Sequence, residues 1–147
     1  MPNIEHKTSD VKRQTAEAKT IHVVAGIIYN ASRDHILIAK RPDHLHQGGL
    51  WEFPGGKVDD GESSENALFR ELLEELNIQV TQAESFHQLS HRYPEKTVHL
   101  DFWTVNAFSG KPNGNEGQQI AWVPLAELNQ YPFPAANQPV LELICRS

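Results

Sequence analysis

The sequence predicts an α/β fold in a single domain, and three stretches carry that expectation. His22-Val23-Val24-Ala25-Gly26-Ile27-Ile28-Tyr29 is a near-continuous apolar run, as in a strand covered on both faces. Residues 63–76 repeat their leucines at helical spacing. Residues 97–108 concentrate β-branched and aromatic side chains, among them Val98, Phe102, Trp103 and Val105. The 147 residues are close to one ordinary domain. A chain of that size buries roughly 68–70% of its unfolded surface without disulfide or metal staples.

Along the chain, residues 1–20 are polar, mixed in charge and without apolar period, so they read as a flexible arm ahead of a domain spanning 21–147. Turn chemistry at residues 30–34 joins the first strand to a second, residues 35–40, in a hairpin whose loop lacks glycine. Residues 41–51, with Pro42, Gly48 and Gly49, form a loop long enough to suggest a function. In the helix, Ser63 is the N-cap and Asn77 the left-handed C-cap. Asn66 takes the place where Glu or Gln would complete a capping box. Leu68, Phe69, Leu72, Leu73 and Leu76 gather on one side of that helix, Glu71, Glu74 and Glu75 on the other. Further strands are expected at 78–80, 86–92, 97–108 and 121–123. A Gly/Asn/Pro loop fills 109–119, proline starts a short helix at 124–129, and a last helix covers 138–145.

Thirteen Lys and Arg against nineteen Asp and Glu leave a net charge of −6, which argues against nucleic-acid binding because no basic excess displaces phosphate counterions. Mean hydropathy is −0.50, no run approaches the ~18 apolar residues of a membrane span, and the N-terminal stretch has no apolar core of a secretory signal. The expectation is a cytoplasmic protein without a membrane partner. The single cysteine, Cys145, excludes an internal disulfide and any multi-thiolate metal site. It reads as a small buried hydrophobe rather than a nucleophile. His44 and His46 have no further Cys/His pair to complete a zinc set. Neither a GxSxG elbow nor a P-loop occurs.

The chemistry lies in Gly55-Gly56-Lys57 … Glu62 … Arg70-Glu71-Leu72-Leu73-Glu74-Glu75. Glu71 stands at i,i+3 from Glu74 and i,i+4 from Glu75, so the three carboxylates share a face. Each like-charge i,i+4 pair left alone costs roughly 0.2–0.5 kcal/mol. A solvated acidic face explains an isolated ExxEE, but here a Gly-rich turn and a further glutamate precede the cap. Hard oxygen donors on one face suit Mg²⁺ or Mn²⁺, which complete their octahedra with substrate phosphates.

Gly56, Glu62, Arg70, Glu71, Leu72, Glu74, Glu75 and Ile78 fall at the spacing G-x5-E-x7-R-E-U-x-E-E-x-G-U, where U is bulky and aliphatic. This resembles the Nudix box. Asn77 replaces the final glycine, a mild departure because the position needs a left-handed backbone. Six fixed matches at ~6–7% each coincide by chance about once in ten million starts. The resemblance implies the Nudix fold, an α/β/α sandwich around a mixed sheet, and a divalent-metal-dependent hydrolase of nucleoside diphosphates linked to another moiety. It implies Glu71, Glu74 and Glu75 as metal ligands, Gly56 as a backbone ligand, and Arg70 as orienting the glutamates through an i,i+4 pair with Glu74.

Gly26–Asn30, Lys40–Pro42, Leu50–Val58, Glu116–Gln118 and Phe133–Val140 extend the resemblance to the MutT-type 8-oxo-dGTP diphosphatases over roughly residues 21–146. That implies Glu116 as a loop carboxylate approaching the metal, Arg41 on the substrate phosphates, Glu52 as a further ligand or a structural acid, and Phe53 packing on the base. Lys96 stands where the pattern has an arginine near the nucleoside. Asn137 matches the base-reading asparagine; its alternative is an N-cap for the last helix. The implied reaction is Mg²⁺-dependent (Mn²⁺ substituting) hydrolysis of 8-oxo-dGTP to 8-oxo-dGMP and pyrophosphate by a monomer, which keeps a mutagenic nucleotide out of DNA. A broader (d)NTP or CTP pyrophosphatase and a non-catalytic nucleotide sensor are the alternatives.

Overall fold

The computed structural model describes residues 20–45 and 47–146. The expected arm, apart from Thr20, and His46 lie outside the described residues. In chain order the elements are β1 (Thr20–Tyr29), β2 (His35–Lys40), β3 (Trp51–Glu52), β4 (Gly55–Lys57), α1 (Ser64–Leu76), β5 (Gln79–Tyr93), β6 (Lys96–Ser109), β7 (Ile120–Pro124) and α2 (Gln138–Arg146). Two 3₁₀ turns, Leu125–Gln130 and Ala135–Asn137, precede α2.

The strands run β3-β2-β1-β6-β5, with β4 also on β1 and β7 also on β2. β1 and β6 are parallel, from Thr20↔Thr97 to Ile28↔Val105, while the other pairs are antiparallel, so the sheet is mixed as expected. Alternation along β1 divides the core. Val24 and Ile28 face α1 with Leu68, Leu72 and Leu76; Ala25 and Ile27 face the other layer with Phe102, Val140, Leu141 and Ile144. A strand covered on both faces cannot show the polar–apolar alternation of a surface strand, hence its continuous apolar run. Gly26 admits α1 closely: a Cβ there would stand 3.1 Å from Leu72 Cδ1. Leu68, Leu72 and Leu76 are fully buried, and truncating any one to Ala costs about 2–5 kcal/mol.

Several elements differ from expectation. The β1–β2 hairpin pairs only at Ile28↔Leu37 and Tyr29↔Ile36, because β4 takes the same edge of β1 from Val23 to Ala25. Arg33 supplies the positive φ (59°) that glycine was absent to give, while Asn30 Oδ1 accepts from the backbone N–H of Asp34 and of His35, each at 3.0 Å. The strands expected at 78–80 and 86–92 are one strand, β5, whose register shifts between Val80 and His87 interrupt the side-chain alternation there. β3 and β4 are too short to show a period. Pro124 is the N-cap of its 3₁₀ turn rather than the first helical residue. Leu73 is 50% exposed, since α1 buries a stripe through Ala67, Leu68, Leu72 and Leu76. Cys145 is exposed: α2 buries Val140, Leu141 and Ile144, and the cysteine falls about 40° beyond that stripe.

Candidate active site

Helix α1 begins and ends where its caps dictate. Ser63 Oγ accepts from the Asn66 backbone N–H at 3.1 Å, and Asn77 closes the helix at φ 59°, its N–H reaching the carbonyls of Leu72 and Leu73. Between these ends Arg70 gathers the turn before the helix onto the helix. Its Nε and Nη2 donate to the two oxygens of Glu62 at 2.8 and 2.9 Å, a bidentate fork. Nη2 also donates to the Lys57 carbonyl at 3.0 Å, and Nη1 to Glu71 Oε2 at 2.9 Å. The expected pair with Glu74 is longer, 3.4 Å, so Arg70 orients the site chiefly through Glu62 and Glu71. Hydrogen bonding to Arg70 drives the Glu62 carboxyl down to about 2, and the guanidinium is raised in return.

One turn further on, the charges are no longer matched. Glu75 is pushed up to about 8, first by burial and then by the charges of Glu52, Glu116 and Glu71. Its Oε1 is buried and has no hydrogen-bond partner among the described residues. Burial also raises Glu71, offset in part by Arg70, and raises Glu52, offset by the Arg41 guanidinium 3.6 Å away. The Glu71 carboxyl lies directly on Gly56, where a Cβ would meet its carboxyl carbon at 2.3 Å. Gly56 therefore leaves its backbone open beside a carboxylate that any side chain would displace.

These residues fit a hard divalent cation. The donors are all oxygen, one buried oxygen is unpartnered, and the cradle at Gly56 admits no Cβ. Among the described residues, no three carboxylate, imidazole or thiol side chains already stand at mutual ligand distance. The acids form a loose cluster that a cation would draw together.

Part of the cluster lines a cleft of about 460 Å³. Gly56, Glu75, Glu52 and Glu116 line it together with Arg41, Lys96 and Phe53, and Asn137 lines it from the 3₁₀ turn before α2. The structure thus brings together eight of the residues singled out from sequence. Glu71 lies against Gly56, but neither it nor Glu74, whose side chain is 58% exposed, is among the residues that line the cleft. Phe53 belongs to the core as well, meeting Phe102 edge-on at 6.0 Å and Phe133 at 5.1 Å. Sequence reasoning missed His91, Tyr93 and Gln118, which also line the cleft. The i,i+2 spacing of His91 and Tyr93 on one strand face is the signal that finds them. Their rings meet at 4.6 Å, and the Lys96 ammonium stands 5.8 Å from the Tyr93 ring.

A family model described as NUDIX domain matches residues 24–143. The chain belongs to the NUDIX domain family. It is 38% identical to the 8-oxo-dGTP diphosphatase of Escherichia coli K12 over 87% of this chain and 98% of that protein. It is 42% identical to the CTP pyrophosphohydrolase of the same organism over 84% of this chain and 90% of that one. A solved MutT structure, from work on the Aliivibrio salmonicida and Vibrio cholerae proteins, superposes with a TM-score of 0.80 at 49% identity, covering 87% of this chain and 98% of that one. The sandwich and mixed sheet are those of the Nudix MutT structures. Nudix hydrolases work with a divalent metal on nucleotide substrates, which agrees with the oxygen-rich cluster in the cleft. No helix among the described residues is long and apolar enough to cross a membrane.

Proposed function

We propose that this Nudix hydrolase is a Mg²⁺-dependent pyrophosphohydrolase of 8-oxo-dGTP, releasing 8-oxo-dGMP and pyrophosphate as a cytoplasmic monomer. The observation that carries the reading is the unmatched charge around Glu75, placed in the same cleft as Asn137. A −6 chain receives a polyphosphate only where cations offset the repulsion. Gly56 through its carbonyl, with Glu71, Glu74, Glu75 and Glu116, would hold the cation. A bound divalent ion lowers the pKa of a water and takes up charge on the leaving phosphate. Arg41, held by Glu52 at the cleft edge, offers its fork to phosphate oxygens, and Lys96 adds a second positive charge. Arg70 positions Glu71 by the bond described above. One of Glu71, Glu74 and Glu116 accepts the proton of the attacking water.

Base selection falls to Asn137 with Phe53. 8-Oxoguanine offers O6 as acceptor and N7–H as donor, whereas guanine has a lone pair at N7. One carboxamide donates to O6 and accepts from N7–H, and a site built to pair a substrate donor rejects the analogue lacking it. The 42%-identical CTP pyrophosphohydrolase favours a second reading, a broader or CTP-directed activity, since a flipped amide serves other bases. A panel of nucleoside triphosphates with Mg²⁺, scored for pyrophosphate release, separates the two; release from none of them would leave only a nucleotide sensor. Asn137→Ala should lower kcat/KM for 8-oxo-dGTP roughly 10- to 100-fold while dGTP hydrolysis changes little. Equal losses on both nucleotides would remove Asn137 from base selection; it lies within the 3₁₀ turn that leads into α2, not at an N-cap position.

A further inference from the structure

The last four carbonyls of an α-helix have no partner within the helix, and in α1 these belong to Leu73, Glu74, Glu75 and Leu76. The Asn77 N–H takes the first, at 3.0 Å. The other three are met by the loop between β6 and β7. Asn113 N–H donates to the Leu76 carbonyl and Asn115 N–H to that of Glu75, each at 3.0 Å. The Asn115 carboxamide donates to the Glu74 carbonyl at 3.2 Å. Gln118 Nε2 donates to the Glu75 carbonyl at 3.4 Å, while its Oε1 accepts from the Glu116 backbone N–H at 3.0 Å. One carboxamide therefore bridges the main chains of two cleft acids. No basic residue stands in the last turn of α1, so these amides supply the positive dipole ends that a helix C-terminus favours. Gly114 lets the loop fold back this tightly, since a Cβ there would stand 2.2 Å from the Gln118 carbonyl oxygen.

We propose that Asn115 and Gln118 are positioning residues, which fasten the loop bearing Glu116 to the last-turn carbonyls of α1 and so set the place of the Glu116 carboxylate opposite Glu75. The claim rests on the reading of Glu75 and Glu116 as metal ligands. The two side chains act through main-chain groups of the ligand residues and need not touch the cation. The amide is essential to the bridge: Gln118→Glu keeps the shape but turns a carboxylate toward the Glu75 carbonyl.

Amide hydrogen exchange in the metal-free protein, resolved by residue, tests the fastening itself. Asn115→Ala and Gln118→Leu should each speed exchange at Asn113, Asn115 and Glu116 by about 10-fold or more, with α1 before Leu72 unchanged and Gln118→Glu no better than Gln118→Leu. Unchanged exchange in the loop would overturn the proposal. Mn²⁺ affinity, titrated by electron paramagnetic resonance without substrate, tests the consequence. Each variant should weaken Mn²⁺ binding about 10-fold, and adding it to Glu116→Gln should weaken binding no further. Losses that add to that of Glu116→Gln would show that the two residues act elsewhere, and overturn the link. Mn²⁺ binding undiminished in Glu116→Gln alone would instead overturn the ligand reading of Glu116, and the exchange experiment decides the fastening independently of it.

Discussion

The two ends of α1 carry comparable numbers of carboxylates and treat them in opposite ways. At the entry, Glu62 and Glu71 share one guanidinium, and Glu62 is held near 2. At the exit, Glu75, Glu52 and Glu116 crowd together; among the described residues Glu52 alone of them is ion-paired, with Arg41, and Glu75 is pushed up to about 8. The first cluster is a joint held by Arg70. The second would be matched by the cation of the proposed site, which Glu71 would reach from the joint.

The sharpest way to break this comparison is Glu75→Gln. Pyrophosphate release should fall by at least about 100-fold while circular dichroism reports an intact fold. Undiminished turnover would remove the proposed site. Arg70→Lys, which keeps the charge and loses the fork, should lower the melting temperature by several degrees and activity by about 10-fold. A variant with full activity but a lower melting temperature would confine Arg70 to the joint.

The pH dependence of the chelated protein sharpens the contrast, because the two shifts have opposite signs. Glu75 binds its proton more tightly folded than unfolded. Stability should therefore decline as pH rises from the ordinary carboxyl value near 4.5 toward 8. Glu75→Gln should flatten that slope, melting a few degrees above the parent at pH 8 without metal, and excess Mg²⁺ should restore the parent's advantage. Glu62 is the reverse case: its contribution is present above about pH 4.5 and is lost as pH falls toward 2. The smallest expected effect is in Glu62→Gln, a lead of the parent by a degree or two at pH 6 that closes on acidification. A scan of melting temperature against pH for both variants checks both signs.

What was legible in the sequence was local. Ser63 and Asn77 bound α1 because capping is decided within a few residues, and the register of Glu71, Glu74 and Glu75 follows from helical spacing alone. Their division into a half-buried Glu75 and an exposed Glu74 was not legible. It depends on β4 and on the loop at 110–119, which pack against one side of the helix exit from distant parts of the chain. Arg70 taking Glu62 in preference to Glu74 is similar, since it requires the turn before the helix to fold back over eight residues. β4 left no periodic signal, yet Gly55 is dictated by it: a Cβ there would lie 2.0 Å from the Val24 carbonyl oxygen. Cys145 was misplaced by one position on the wheel of α2, at the margin of an apolar stripe where type alone does not decide burial.

The parallel pairing of β1 with β6 also bears on how the molecule is made. Thr20 pairs with Thr97 and Ile28 with Val105, partners more than half the chain apart. β5 and β6, by contrast, join through a turn at Pro94 and Glu95 and pair locally. Contacts across so long a loop are repaid only after its closure entropy has been met, which slows folding. During synthesis, β1 leaves the ribosome well before β6, which supplies its second edge. Until β6 follows, the apolar run at 23–28 is an open strand of the kind that recruits other chains. A stretch buried on both faces in the finished enzyme is thus exposed to pairing with other chains while its own is still growing.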